Sequence, residues 1–185
     1  MKLLPLPPEV LELLVEVKAP PRLFAHLRLV HDVACTLSKE LASAWPPFRF
    51  DADAVAFGAA THDLGKALHP HELTEPGSEH EEAGFELLRE RGFPEPRARF
   101  ARTHARWSEA TSSVEDLLVS LADKIWKGRR EEDLEALLVA RIAAATGEAT
   151  WSVFMKLDQV LGVLAGGADE RLALQASLKT GDQEQ

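Results

Sequence analysis

Ala59-Ala60-Thr61-His62-Asp63-Leu64-Gly65-Lys66 marks the point where an apolar helical run gives out. Successive side chains in a helix diverge by about 100°, so an adjacent imidazole and carboxylate do not share a target in mid-helix. At a helix end followed by glycine, the backbone can turn and let both heads converge. The doublet therefore reads as the centre of a metal site whose other ligands come from elsewhere in the chain.

Upstream of the doublet, a helix is expected from Ala52 to about Asp63, capped by Asp51 or Asp53. Trp45-Pro46-Pro47 separates it from a long amphipathic helix running from Arg22 to about Ala44. There Leu23, Leu27, Val30, Ala34, Leu37 and Leu41 recur at helical spacing, with His31 one step off the stripe. Pro8 opens a shorter first helix, which the prolines at 20 and 21 end. Downstream, a loop from Gly65 to Gly77 carries His69-Pro70-His71. Ser78-Glu79-His80-Glu81 has the capping-box pattern, which puts His80 in the first turn of a helix that stops at Gly92. A short basic helix from Pro94 to about Ala105 ends near His104. A second capping box, Ser112 with Glu115, opens an apolar helix in which Asp123 is embedded and which Gly128-Arg129-Arg130 closes. Two or three further helices cover about 131–178, broken at Gly147 and Gly166-Gly167, and the tail 179–185 is expected to fray. The expectation is an all-α chain, one domain over 1–185, with a metal-binding core at about 21–128.

Composition narrows the function. The 185 residues are 45% hydrophobic and 28% charged, ordinary for a globular protein. A net charge of −9 argues against binding duplex nucleic acid through its phosphates, but not against a local cationic pocket. One cysteine, Cys35, precludes an internal disulfide and fits a cytoplasmic location. No uncharged apolar run reaches the length of a membrane span, and the proline-broken N-terminus does not resemble a signal peptide. The expected state is a monomer or homodimer; the helices beyond 131 either finish the core or carry a dimer contact.

His31, His80, His104 and Asp123 look out of place unless they bind something. Asp123 is the sharpest case, because a carboxylate between Leu121-Ala122 and Ile125-Trp126 carries a large desolvation cost without a cation. The order His31, His62-Asp63, His80, His104, Asp123 resembles that of the HD superfamily, all-helical metal-dependent proteins that mostly cleave phosphate esters. The resemblance spans about residues 26–128. It includes Arg28-Leu29-Val30-His31-Asp32-Val33-Ala34, His62-Asp63-Leu64-Gly65-Lys66, His80-Glu81-Glu82-Ala83-Gly84 and Leu121-Ala122-Asp123-Lys124. It implies that His31, His62, Asp63 and Asp123 hold one divalent ion and that His80 and His104 hold a second, with Asp63 bridging and serving catalysis. A mixed His/Asp donor set admits Fe, Mn, Co, Ni or Zn alike. Asp32 follows His31 but matches no ligand position, and is expected to be a supporting or surface group.

By the same resemblance Lys66 meets a substrate phosphate or orders the attacking water. Lys124, Lys127, Arg129 and Arg130 form a second cationic group, of which the first two share a helix face. His71 is a further candidate for substrate contact; the alternative for it and for His69 is a plain surface loop. His26 projects about 140° from His31 on a helix and is expected to be a packing or surface histidine. Trp107 and Trp126 read as core residues before they read as walls of a base pocket. The leading function is a metal-dependent phosphohydrolase acting on a small phosphorylated substrate, a nucleotide first. The alternatives are a mixed-valent di-iron oxygenase of the same fold and a non-catalytic, metal-bound nucleotide-sensing domain. In the phosphonate-cleaving oxygenases a tyrosine guards the open iron position, and this chain has no tyrosine.

Overall fold

A computed structural model describes residues 2–108 and 112–180, and among them every regular element is helical. Helix α1 is Pro8–Glu16 and α2 is Pro21–Ala44. Helix α3, Ala52–Thr61, is followed by two 3-10 turns, Leu64–Ala67 and Pro70–Leu73. Helix α4 is Glu79–Glu90, and the expected basic helix is two short pieces, α5 (Glu95–Ala98) and α6 (Phe100–Thr103). Helices α7 (Val114–Ile125), α8 (Glu132–Thr146), α9 (Thr150–Gly166) and α10 (Ala168–Thr180) complete the chain. Residues 181–185 of the tail expected to fray lie outside the described residues, while α10 itself runs through Thr180. Among the described residues no helix is long and apolar enough to cross a membrane.

The α2 stripe is what the sequence pattern demands: Leu23, Leu27, Val30, Ala34, Leu37 and Leu41 are all fully buried. At about 25 cal/mol per Å², each buried leucine contributes roughly 2 kcal/mol, so this one helix face outweighs any single polar contact in the fold. Helices α2, α3 and α7 pack on one another, and the main core continues through Trp45, Phe100, Leu118, Leu138 and Leu157. A second apolar cluster joins α1 to the start of α2, Phe57 of α3, Leu64 and Leu88.

Cap chemistry departs from expectation at two helices. Helix α7 is capped by Ser113 rather than Ser112: its hydroxyl accepts from Asp116 N at 3.2 Å, and Ser113 N donates to Asp116 Oδ2 at 3.0 Å. Asp116 also accepts from Thr103 Oγ1 at 2.7 Å and Arg99 Nε at 3.1 Å, so the same carboxylate anchors α5 and α6 to α7. At α4 the Ser78 side chain makes no cap bond; a carboxylate from the preceding turn takes its place. Asp51 is the residue that caps α3, accepting from Ala54 N at 2.9 Å. Gly92, Gly128 and Gly147 take left-handed conformations where helix stops were expected.

Candidate metal centre

Helix α3 delivers the doublet, but the turn comes one step earlier than glycine chemistry suggested. His62 keeps helical angles (φ −52°, ψ −36°) and Asp63 leaves the helix at φ −104°, ψ 10°. Gly65 has a different job. A Cβ there would overlap the His80 carbonyl and the Gly84 amide, so only glycine lets the 3-10 turn lie against α4. That contact brings His80 up to the doublet.

Four imidazoles then surround the Asp63 carboxylate, two to each oxygen. His80 Nε2 lies 3.1 Å and His104 Nε2 3.5 Å from Oδ1. His26 Nε2 lies 3.2 Å and His62 Nε2 3.7 Å from Oδ2. Asp123 Oδ1 approaches the second pair, at 3.6 Å from His26 and 3.5 Å from His62. The donors thus form two groups able to hold a metal ion, His26-His62-Asp123 and Asp63-His80-His104, with the second oxygen of Asp63 turned toward the first group.

Ring orientation favours a cation at each. His62 Nδ1 donates to Ala59 O at 3.0 Å, and His104 Nδ1 donates to Ala101 O at 3.0 Å. His80 Nδ1 donates to the Glu72 carboxylate. Each of these Nδ1 atoms carries its ring's proton, which leaves Nε2 as a bare lone pair facing a carboxylate oxygen. His26 Nε2 and His62 Nε2 stand 3.3 Å apart, two ring nitrogens sharing one proton or one cation. Asp63 Oδ1 and His80 Nε2 are buried with no hydrogen-bond partner among the described residues. Unpaired acceptors in a dry site are costly, and a divalent cation satisfies them all at once. The donor set fits such an ion, and its oxygen and imidazole mix suits a divalent transition metal.

Electrostatics keep both carboxylates and His104 in their ligating states. At His80 burial is outweighed by Asp63 and Glu72, which raise its pKa, so a metal ion there displaces a proton. Burial pushes the Asp63 carboxyl up, yet the imidazoles of His62, His26 and His80 hold it well below the usual carboxylate range. Asp123 behaves alike: burial opposes its charge, while His62, Lys124 and His26 favour it. Burial, with the neighbouring His62, lowers His104 to about 4, so its ring is neutral near pH 7. Lys66 Nζ stands 2.6 Å from Asp63 Oδ2, and Lys124 Nζ 2.8 Å from Asp123 Oδ2.

Sequence reasoning missed Glu72. Its side chain, 1% exposed, accepts from Glu79 N at 2.9 Å and His80 N at 3.2 Å as well as from the His80 ring. One carboxylate therefore caps α4 and fixes the tautomer of a ligand candidate. Gly77 makes room for it, since a Cβ at that position would overlap the Glu72 carboxylate. A Glu ahead of a capping-box serine and a histidine was the available clue.

His31 is the main correction. It is buried in α2, but its Nε2 lies 3.5 Å from Cys35 Sγ and its Nδ1 has no partner among the described residues. His26 occupies the place expected for it. The two are about 140° apart around the helix, so one face of α2 cannot serve both. The side that carries Arg22 and His26, one turn apart, is the one that meets His62 and Trp126. Asp32 is a tether, accepting from Leu4 N at 2.8 Å. Of the cationic candidates, Lys66 and Lys127 line the cleft over Asp63, and Lys124 sits on Asp123. Arg129 pairs with Glu131, and Arg130 is bound to Glu135 and Asp158. His71 and His69 each face Glu79 Oε2 at 3.6 Å, and neither lines the cleft.

The cleft holds about 290 Å³ and is walled by Arg22, His26, Lys66, Trp126, Leu172 and Gln175, among others. Trp126 is 5% exposed and meets His26 edge to face, so it is a core residue and a wall together. Comparison with curated proteins and with solved structures finds no match. The model of one family, described as HD domain, matches residues 23–142, which include both groups of converging side chains. The chain belongs to the HD-domain family, whose type is the metal-dependent phosphohydrolase.

Proposed function

We propose that the protein is a phosphohydrolase that cleaves a small phosphate ester, a nucleotide first among them. His26, His62, Asp63 and Asp123 would hold one divalent transition-metal ion, and His80, His104 and Asp63 a second. The observation that carries this reading is the division of four imidazoles between the two oxygens of Asp63. Paired metals in such a site lower the pKa of water and polarise a phosphoryl oxygen.

The chain's own residues would do the rest. Lys66, with Arg22 and Lys127 in the same cleft lining, would offset the phosphate's charge and turn phosphorus toward Asp63. Trp126 and Leu73 give the organic half an apolar surface. Burial of His62, His80 and His104 excludes bulk water from the ligand side. In the reaction a water oxygen bonds to phosphorus, the ester oxygen departs, and the water's proton ends on the departing oxygen.

The test is hydrolysis of nucleotides and generic phosphate esters with Mn, Co or Fe added. Phosphate release is expected from the wild type and should vanish in Asp63→Ala. Turnover that survived this substitution would overturn the mechanism. Dioxygen uptake by reduced, iron-loaded protein without phosphate release would replace hydrolysis by oxidation.

A further inference from the structure

Helix α10 lies beyond the residues that match the family model, yet it forms part of the cleft through Leu172 and Gln175. The cleft walls divide by chemistry. Arg22, Lys66 and Lys127 offer positive charge alongside Asp63, whereas Leu73, Trp126 and Leu172 are apolar. Gln175 is the one uncharged side chain of this lining that presents both a hydrogen-bond acceptor and a donor pair. Phosphate recognition needs neither an amide nor a leucine. An organic group with a polar edge needs both.

The position of α10 is fixed rather than incidental. Arg171, 5% exposed, sends its guanidinium into the carbonyls that end two other helices. It donates to Trp126 O at 2.5 Å and Ile125 O at 3.2 Å at the end of α7, and to Leu164 O at 2.5 Å in α9. Ile125 O also accepts from Gly128 N at 2.9 Å and Leu164 O from Gly167 N at 3.3 Å, so the buried arginine adds a second, charge-assisted donor where each of these helices ends. The clamp grips the turn that carries Trp126, and it shares a face of α10 with Gln175 one turn on. Leu174 meanwhile packs against the main core. Leu172 and Gln175 are therefore held at a set distance from the residues around Asp63.

We propose that α10 is the specificity wall of this site, with Leu172 packing against the organic half of the ester and the Gln175 amide hydrogen-bonding its polar edge. The proposal rests on the phosphohydrolase reading for its substrate, but not for the role of the wall. Loss of one neutral hydrogen bond to a bound ligand weakens it on the order of five- to tenfold. The experiment measures kcat/KM for purine and pyrimidine nucleoside monophosphates and for phenyl phosphate, in wild type, Gln175→Ala and Leu172→Ala. Bound metal is counted in each preparation, and binding of the same compounds is measured by calorimetry. Gln175→Ala should reduce the preference among the nucleotides five- to tenfold in turnover and in binding. Leu172→Ala should weaken the nucleotides and phenyl phosphate together, and metal content in both variants should stay within about twofold. Unchanged selectivity in Gln175→Ala or unchanged affinity in Leu172→Ala overturns the proposal, as does a wild type with no preference in turnover or binding. Selective binding without turnover, lost in Gln175→Ala, would sustain the wall while refuting hydrolysis.

Discussion

Removing the Glu72 carboxylate should separate two roles that one side chain combines. In Glu72→Ala the Glu79 and His80 amides lose their acceptor in the first turn of α4. Loss of such a cap costs about 1–2 kcal/mol, and the small cavity left by a buried side chain adds to it. Separately, the His80 ring loses the partner that keeps its proton on Nδ1 and its lone pair on Nε2. Supporting contacts of this kind are worth about 10- to 100-fold in metal affinity, or roughly 1.4–2.7 kcal/mol. Glu72→Gln is the control. Its amide oxygen can still accept from the His80 amide and ring, giving up only the Glu79 bond and the negative charge. Urea unfolding of metal-free protein reads the cap, and cobalt titration against a chelator reads the ligand. The alanine variant should lose both, whereas the glutamine variant should keep most of the stability and bind cobalt better than alanine does. Wild-type cobalt affinity in Glu72→Ala, with stability lowered, would refute the orienting role and leave only a cap.

Other expectations follow from neighbouring features. His26→Ala should weaken metal binding by tenfold or more, while His31→Ala should leave metal content intact and change only stability; chelator titration of both separates them. Gly65→Ala should destabilise the fold by several kcal/mol and cost metal binding together, because its Cβ would strike the backbone at His80 and Gly84; unfolding and metal content read both. Burial, with Asp32 and Asp53 nearby, pushes the Cys35 thiol up to about 11. At pH 8 only on the order of a thousandth is thiolate, so disulfide-reagent labelling of folded protein should be slow and should accelerate with pH up to that value.

Much of this architecture was legible in the sequence because periodicity and breakers act locally. The α2 stripe, the proline break at 46–47, and the glycine ends of α4, α7 and α8 all hold in the structure. By contrast, α1 stops at Glu16, where Lys18 turns left-handed, and the prolines at 20–21 open α2 instead of ending α1. His62, Asp63, His80, His104 and Asp123 do converge: most stood near apolar residues that had to face inward, and His80, set among glutamates, is brought in by the close contact of Gly65 with α4. His26 and His31 were misordered for a physical reason. Both flank the same stripe, on opposite sides, and the side that meets α3 and α7 is set by packing of three helices rather than by α2 alone. Gln175 was illegible, and Glu72 was overlooked despite its one clue, for a related reason. Their roles depend on a loop folding back onto α4, eight residues on, and on α10 docking beside α7, a contact that no local pattern records.

The most direct measurement is a metal count by elemental analysis on protein loaded with manganese or cobalt and freed of excess ion. Two ions per chain are expected for the wild type, with both lost or sharply weakened in Asp63→Ala because each group of imidazoles leans on one of its oxygens. A full complement of metal in Asp63→Ala, or wild-type protein that retains none, would contradict the account.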